Sequence, residues 1–230
     1  MSSYVLAGAG WAPFAEWSIW RFLLEGLFIA LRIAAVSITL SVVIGVVMAT
    51  ARLAHTRAIR WPAGVYVEMF RATPLLLLIL FVFFGSARAH LEIGPIAAVT
   101  IALTLYNSAV IAEIVRAGIL SISRGVIEAA RSLGLTYLQT MRSVAIPMAL
   151  QRMAPAIVSQ LITLFKDTSL ASVLGVLELS RRARVIYDTP TYGNPIEVLT
   201  VVAFFYFVPS YLLSRLAQRL EPKSERGRRG

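Results

Sequence analysis

Long apolar runs are the dominant pattern in this chain. Five stretches hold 18 or more mostly apolar residues with few charges, about Leu23–Thr50, Val65–Ser86, Gly94–Val115, Ala154–Val176 and Ile196–Leu216. Each can cross about 30 Å of hydrocarbon at about 1.5 Å per residue. The apolar–polar alternation of a membrane barrel is missing from them. Because lipid cannot satisfy an open backbone, the pattern predicts an all-α polytopic membrane protein with five helices in a single domain, residues 1–230.

Composition supports this prediction and removes several classes of chemistry. Of the 230 residues, 58% are hydrophobic and 15% are charged, with a mean hydropathy of +0.75. Soluble domains are about 45–50% apolar and about 25% charged. The absence of cysteine excludes disulfides and thiolate metal sites, and the two histidines, His55 and His90, lie far apart. We therefore expect no metal site and no catalytic residue in this chain.

The basic residues predict an orientation. With the N-terminus outside, the predicted inner segments hold fourteen Lys and Arg residues and the outer segments hold five. Inner segments are the basic ones, so the sequence predicts an outer N-terminus and a cytoplasmic C-terminus. The outer cluster Arg181–Arg184 runs against this trend. We interpret the basic tail, residues 217–230, as an anchor to anionic lipid, with no role in nucleic-acid binding.

Two charges fall near the middle of the fourth span. Lys166 and Asp167 are adjacent, so they point about 100° apart on a helix and pair poorly with each other. A centred charge costs roughly 2.5–3.5 kcal/mol and needs a partner or a watery cavity. Within the spans, Arg32 is the candidate partner for Asp167, and Glu113 or Glu25 for Lys166. Another subunit or the substrate is the alternative source of partners.

The purpose of these polar groups stays open at this stage. A salt bridge between helices, a contact to a zwitterionic substrate and a proton relay are the three interpretations of the charges. Asn107, next to Ser108, is a second polar patch, suited to a helix–helix hydrogen bond or to a solute path. The candidate substrate pathway comprises Asn107, Lys166, Asp167, Thr168, Ser169 and Arg32.

One long interior stretch, residues 116–153, is not apolar. It is too long for a turn, and its composition predicts a helix over Glu128–Leu133 that ends at a left-handed Gly134. A second short helix is predicted over Gln139–Val144, before Pro147 interrupts it. Physical reasoning alone leaves two interpretations open, a docking surface and an ordinary connecting loop.

Motifs in this stretch and beyond it resemble a known family. Glu128-Ala129-Ala130, three residues, Gly134, nine residues and then Val144-Ala145-Ile146-Pro147 are similar to the EAA loop of ABC importer permeases. Arg71–Leu76 (RATPLL), Ala112–Ile119 (AEIVRAGI) and Lys166–Leu170 (KDTSL) resemble signatures of the polar amino-acid importers. Ala72 and Ala117 stand where that family commonly has glycine, and Ser159 stands where it has asparagine. The order and spacing of these motifs make the resemblance specific.

The resemblance implies a set of partners. The residues implied to couple to an ABC ATPase dimer are Glu128, Ala129, Ala130, Gly134 and Pro147. No phosphate-binding Gly-x4-Gly-Lys-Ser/Thr motif occurs, so ATP and magnesium are expected on the partner ATPase, and we expect no cofactor in this chain. A second permease subunit, identical or paralogous, and an extracytoplasmic solute-binding protein complete the implied assembly in the bacterial cytoplasmic (inner) membrane.

The expected function is that of the membrane-spanning permease subunit of an ATP-driven importer for a polar amino acid. The motifs around Asp167 and Arg116 resemble the glutamate/aspartate branch, and Lys166 and Arg32 favour an anionic solute electrostatically. An ion-coupled secondary amino-acid carrier that works without an ATPase is the alternative. Such carriers usually have more helices and internal repeats, and the sequence shows no repeat.

Overall fold

The computed structural model describes residues 11–190 and 195–220, with side chains up to residue 215. Every regular element in these ranges is helical, which confirms the all-α prediction for the described residues. The side chains of the predicted basic tail lie outside them. The α-helices are α1 (Trp17–Arg52), α2 (Arg57–Ala72), α3 (Leu75–Arg88), α4 (Pro95–Leu120), α5 (Arg124–Ser132), α6 (Tyr137–Thr140), α7 (Ile146–Asp167), α8 (Leu179–Tyr187) and α9 (Pro195–Leu220).

Four helical stretches of the described chain are long and apolar enough to cross a membrane. They are Trp17–Arg52, Pro95–Leu120, Tyr137–Leu174 and Pro195–Arg215. The bent pair of α2 and α3 raises the number to five if it is counted as one span. The chain is therefore a multi-pass membrane protein.

The predicted second span, Val65–Ser86, is not one straight helix. Helices α2 and α3 meet at 107°. Thr73 and Pro74 between them are extended, with ψ values of 128° and 129°. Proline disfavours helical backbone at the residue before it, so this Thr-Pro pair ends α2 and lets α3 set off in a new direction.

The predicted break at Pro147 does not occur. A π-helical turn, Met141–Ala145, joins α6 directly to α7, and a 3-10 segment, Thr168–Leu174, extends α7 at its other end. The N–H of Ile146 donates to the carbonyl of Met141, five residues back, as a π turn requires. Pro147 then falls in the first turn of α7, where a missing N–H costs little.

Helix α4 forms the centre of the bundle and packs against α1, α2, α3 and α7. Helix α1 has a small residue at every fourth position, Ser37, Ser41, Gly45 and Ala49, and this face packs against α4 with the two helices running in the same direction. Ser37 Oγ donates to Thr100 O and Ser41 Oγ to Thr104 O, each at 3.3 Å. At Gly45, an added Cβ would lie 2.7 Å from Ile111 Cγ2, so glycine allows this close approach. The small residues thus serve helix packing.

The bundle has two distinct ends. The end called here the α5 end holds α5, α6, the last turns of α1 and α4 and the first turn of α7. The opposite end holds α8, whose N-terminus is capped by fully buried Glu178; its carboxylate accepts from Arg181 N at 2.8 Å and Tyr206 Oη at 3.0 Å. Burial raises the pKa of Glu178, and the N–H donors oppose this rise. Arg182 donates to Glu25 at 2.9 Å and ties α8 to α1.

Candidate functional site

The sequence between α4 and α7 folds into a compact projecting element. We call residues 124–140, which comprise α5, the turn after it and α6, the coupling element, after the role that the resemblance implies for them. Gly134 has φ +84°, as its predicted left-handed turn requires. Gly134 N donates to Arg131 O at 3.0 Å, and Leu135 N donates to Ala130 O at 3.4 Å. These two bonds form a Schellman motif that ends α5.

Helix α6 begins at a capping box. Thr136 Oγ1 accepts from Gln139 N, and Gln139 Oε1 accepts from Thr136 N at 2.8 Å. Tyr137 Oη then donates to Leu53 O at 3.1 Å, which ties α6 to the end of α1. Both turns of the coupling element therefore have defined geometry, and the element is anchored to the bundle.

The coupling element exposes two large apolar side chains. Leu133 is 84% exposed and Leu138 is 74% exposed. Glu128 and Ala129 are exposed as well, whereas Ala130 is only 6% exposed. Of the two predicted alanines, Ala129 is thus available to a partner and Ala130 packs against its own chain. The sequence motif did not single out Leu133 or Leu138.

Pro147 lies apart from α5 and is exposed on the first turn of α7. The base of the coupling element is held by Arg152 of α7, whose Nη1 donates to Ser121 O at 2.7 Å. Ser121 lies between the end of α4 and the start of α5, so this bond joins the base of the coupling element to α7.

An ion-pair cluster lies beside this base. Glu113 of α4 contacts Arg52 Nη1 at 2.7 Å, Arg116 Nε at 3.1 Å and Arg71 Nη1 at 4.0 Å. Arg52 also contacts Glu68 at 3.3 Å. The cluster joins the ends of α1, α2 and α4, and it accounts for Glu113 and Arg71 as paired residues near helix ends.

A buried amide pair lies between α4 and α7. Gln160 Nε2 donates to Asn107 Oδ1 at 2.8 Å, and Asn107 Nδ2 donates to Leu103 O at 2.8 Å. Asn107 is fully buried. The structure therefore places Asn107 in a helix–helix hydrogen bond, one of the two predicted alternatives. Sequence reasoning missed Gln160, although it stands seven residues before Asp167 and so on the same helix face.

The predicted partners of Lys166 and Asp167 are wrong within this chain. Glu113 is held by arginines of its own cluster, Glu25 pairs with Arg21 and Arg182, and Arg32 makes no ion pair among the described residues. Arg32 instead lies over the Phe28 ring and lines a cavity of about 140 Å³. The sequence prediction failed because it matched charges by depth along the spans without the angular position of each helix face.

The four consecutive candidates, residues 166–169, lie where α7 passes into its 3-10 extension. Lys166 is exposed, Asp167 and Ser169 are half-buried, and Thr168 is buried with Oγ1 donating to Phe165 O at 2.7 Å. Across the described chain, neither Lys166 nor Asp167 makes an ion pair.

Helix α7 also exposes a polar face along its length. Its exposed positions repeat at intervals of three or four residues, and four of the five are polar: Arg152, Ser159, Thr163 and Lys166, with Ala156 as the fifth. Polar side chains in a membrane span face protein or water and avoid lipid. This face of a single protomer is therefore open to another subunit or to a water-filled path.

Comparison with known proteins decides the family. The sequence profile of the "binding-protein-dependent transport system inner membrane component" matches residues 41–226. The chain belongs to this family of ABC transporter permeases. The membership confirms the resemblance stated from the EAA loop and the other motifs, and in this family the ATPase is a separate subunit.

Curated relatives cover most of the chain. A probable glutamine ABC transporter permease protein, GlnP of Bacillus subtilis, is 42% identical, over 87% of this chain and 92% of its own length. The glutamate transport system permease protein GluD of Corynebacterium glutamicum is 36% identical, over 95% and 81%. The arginine transport system permease protein ArtQ of Bacillus subtilis is 36% identical, over 88% and 92%.

Solved structures share the fold. An amino acid ABC transporter crystallised with histidines has a chain that is 33% identical, with a TM-score of 0.79 over 87% of this permease and 93% of that chain. A chain of the MetNI methionine ABC transporter in an inward-facing conformation is 25% identical, with a TM-score of 0.73 over 89% and 97%. The fold is thus the type I ABC permease fold.

Proposed function

We propose that this permease carries a polar amino acid inward and that its coupling element receives the work of a separate ABC ATPase dimer. The observation that carries this proposal is a projecting element with hydrogen-bonded turns and two exposed leucines, in a chain of the ABC permease family. ATP and magnesium bind to the partner ATPase in this proposal, and an extracytoplasmic solute-binding protein delivers the amino acid.

The proposed orientation has the N-terminus outside and the C-terminus in the cytoplasm of the bacterial inner membrane. The coupling element is then cytoplasmic, as contact with an ATPase requires. The bias of Lys and Arg toward these segments supports this orientation.

The contact with the ATPase rests on a few side chains. Exposed Leu133 and Leu138 supply an apolar anchor, and Ala129 lets the backbone of α5 come close to its partner. Glu128, which is exposed, offers a carboxylate to a basic residue. Gly134 shapes the turn, and Pro147 marks the entry into α7. A displacement of α5 by the ATPase would be transmitted to α7 through Arg152. Through α7 it would then reach the polar groups at the far end of that helix.

A second permease subunit, identical or paralogous, is proposed to cover the polar face of α7. Ser159, Thr163 and Lys166 would otherwise face hydrocarbon, which is costly for the charge of Lys166. With two α7 helices near a shared axis, their polar faces would line a common pathway. Lys166, Asp167 and Ser169 are proposed to lie along it, and Gln160 beside them, with the buried Asn107 holding Gln160 in place.

For the substrate we propose an amino acid with an acidic side chain, glutamate or aspartate. Unpaired Lys166 can bind a carboxylate, and Asp167 can bind the α-ammonium group. Glutamine is the second candidate, because a relative reported above is a probable glutamine permease.

The test is uptake by the reconstituted transporter. The permease would be placed in vesicles with its ATPase, second permease and binding protein, with ATP inside and no ion gradient, and supplied with labelled glutamate, glutamine or arginine. We expect ATP-dependent accumulation of glutamate. Exclusive uptake of arginine would contradict the substrate, and uphill uptake that needs an ion gradient and no ATP would favour the secondary carrier.

A further inference from the structure

A basic groove at the α5 end is not used by the transport proposal. Its volume is about 600 Å³, and its lining includes Arg52, Arg57, Arg60, Trp61, Glu68 and Arg116. Four guanidinium groups therefore face one carboxylate in the same groove. Such an excess of positive charge suits an anionic ligand.

Two of these arginines have unused binding capacity. Arg52 and Arg116 are already held by Glu113. Arg57 and Arg60 are exposed and make no ion pair among the described residues. They stand three positions apart in the first turn of α2, so their side chains share a face of that helix. A guanidinium fork matches the oxygens of a phosphate.

The position of α2 indicates where this ligand comes from. Because α2 meets α3 at 107°, and α3 is apolar along its length, α2 lies close to the membrane plane if α3 rises through the bilayer. Trp61, 72% exposed, borders the groove, and exposed Ile59 and Val65 lie on the same helix. Tryptophan concentrates at membrane interfaces, and helices with arginine on one side and apolar residues on the other lie in them.

We propose that this groove binds the phosphate headgroup of an anionic phospholipid from the leaflet at the α5 end. Arg57 and Arg60 hold the phosphate, Trp61 lies at the level of the headgroup, and the acyl chains extend along the apolar side of α2. Basic pockets between membrane helices bind acidic lipids in this way. The site does not depend on which amino acid is transported, so a negative result here leaves the proposed function standing.

The first test measures lipid retention by the complete transporter, purified with its ATPase. The probe is radiolabelled phosphatidylglycerol, with phosphatidylcholine as the neutral comparison. The double variant Arg57→Gln/Arg60→Gln should bind phosphatidylglycerol at least about tenfold more weakly, since each basic residue near an anionic surface contributes roughly fivefold. The control, Arg88→Gln/Arg142→Gln, loses the same charge at two exposed, unpaired positions and should bind as the wild type does.

Three results would overturn the proposal. They are equal retention by the two double variants, displacement of the lipid by inorganic phosphate, and loss of the ATPase from Arg57→Gln/Arg60→Gln with unchanged lipid binding. The second result would identify a site for free phosphate, and the third a protein contact.

A second measurement uses Trp61 as an internal probe. The chain has four tryptophans, and the other three are Trp11, Trp17 and Trp20. With those three replaced by phenylalanine, brominated phosphatidylglycerol should quench Trp61 fluorescence more strongly than brominated phosphatidylcholine at equal concentration. Equal quenching by the two lipids would contradict a specific headgroup site.

Discussion

Gly134 determines the shape of the coupling element at the scale of a single residue. Its φ of +84° costs an L-residue about 1–2 kcal/mol, although no neighbouring atom would meet an added Cβ within 4 Å. We predict that Gly134→Ala loosens the turn and raises its hydrogen exchange. Asparagine tolerates left-handed backbone better than alanine, so Gly134→Asn should exchange at a rate closer to that of the wild type. Hydrogen exchange of residues 124–140 measures this effect. Equal exchange in the wild type and Gly134→Ala would show that the turn does not depend on glycine.

The proposal that the substrate has an acidic side chain depends on Lys166. We predict that Lys166→Gln lowers glutamate uptake about tenfold or more, equivalent to about 1.4 kcal/mol, and lowers glutamine uptake less, because only glutamate has a side-chain carboxylate. The control is Arg88→Gln, which removes an exposed positive charge at the end of α3. An equal loss for both substrates would assign Lys166 a role that does not depend on substrate charge.

At this scale, sequence predicted backbone conformation better than side-chain partners. The left-handed Gly134 follows from its place after a helix, which is local information. The pairing of Asn107 with Gln160, and of Glu113 with Arg52, depends on how helices are rotated against one another. Residues in these pairs are 53 and 61 positions apart, so no local pattern reports the contact.

The packing of α1 on α4 is the clearest contact between elements. We predict that Gly45→Ala lowers the free energy of unfolding by about 1–3 kcal/mol through overpacking, since the new Cβ would lie 2.7 Å from Ile111 Cγ2. The matched control is Gly85→Ala in α3, where no atom lies within 4 Å of the added Cβ. The better helix propensity of alanine should stabilise the folded protein slightly in this variant. Thermal unfolding in detergent measures both. Equal midpoints would contradict the close approach of the two helices.

The sequence predicted helices correctly where hydrophobic composition alone defines them. Long apolar runs located α1, α4 and α9 to within a few residues at most ends, because burial in lipid requires little more than hydropathy. The sequence did not predict α8, and two further errors concern proline. Thr73-Pro74 breaks a predicted span because the backbone there is extended, and Pro147 fails to break a helix because a π turn precedes it. Chain direction at a proline depends on packing that the sequence pattern does not contain.

At the scale of the whole molecule, the central claim is that the coupling element transmits the work of the ATPase. Its outward face is available to a partner, and its base is tied to α1 by Tyr137 and to α7 by Arg152. We propose that these contacts carry the movement of the coupling element into α1 and α7. The sequence motif predicted where the proposed contact lies, whereas the exposure of Leu133 and Leu138 became evident only in the folded chain.

The most direct test of this claim is ATP hydrolysis by the reconstituted transporter, stimulated by the substrate-loaded binding protein. Leu133→Asp should abolish the stimulation while the permease stays inserted and folded. Leu91→Asp, the same change at an exposed leucine of the opposite end, should leave the ATPase bound. Full stimulation and normal uptake by Leu133→Asp would contradict the account.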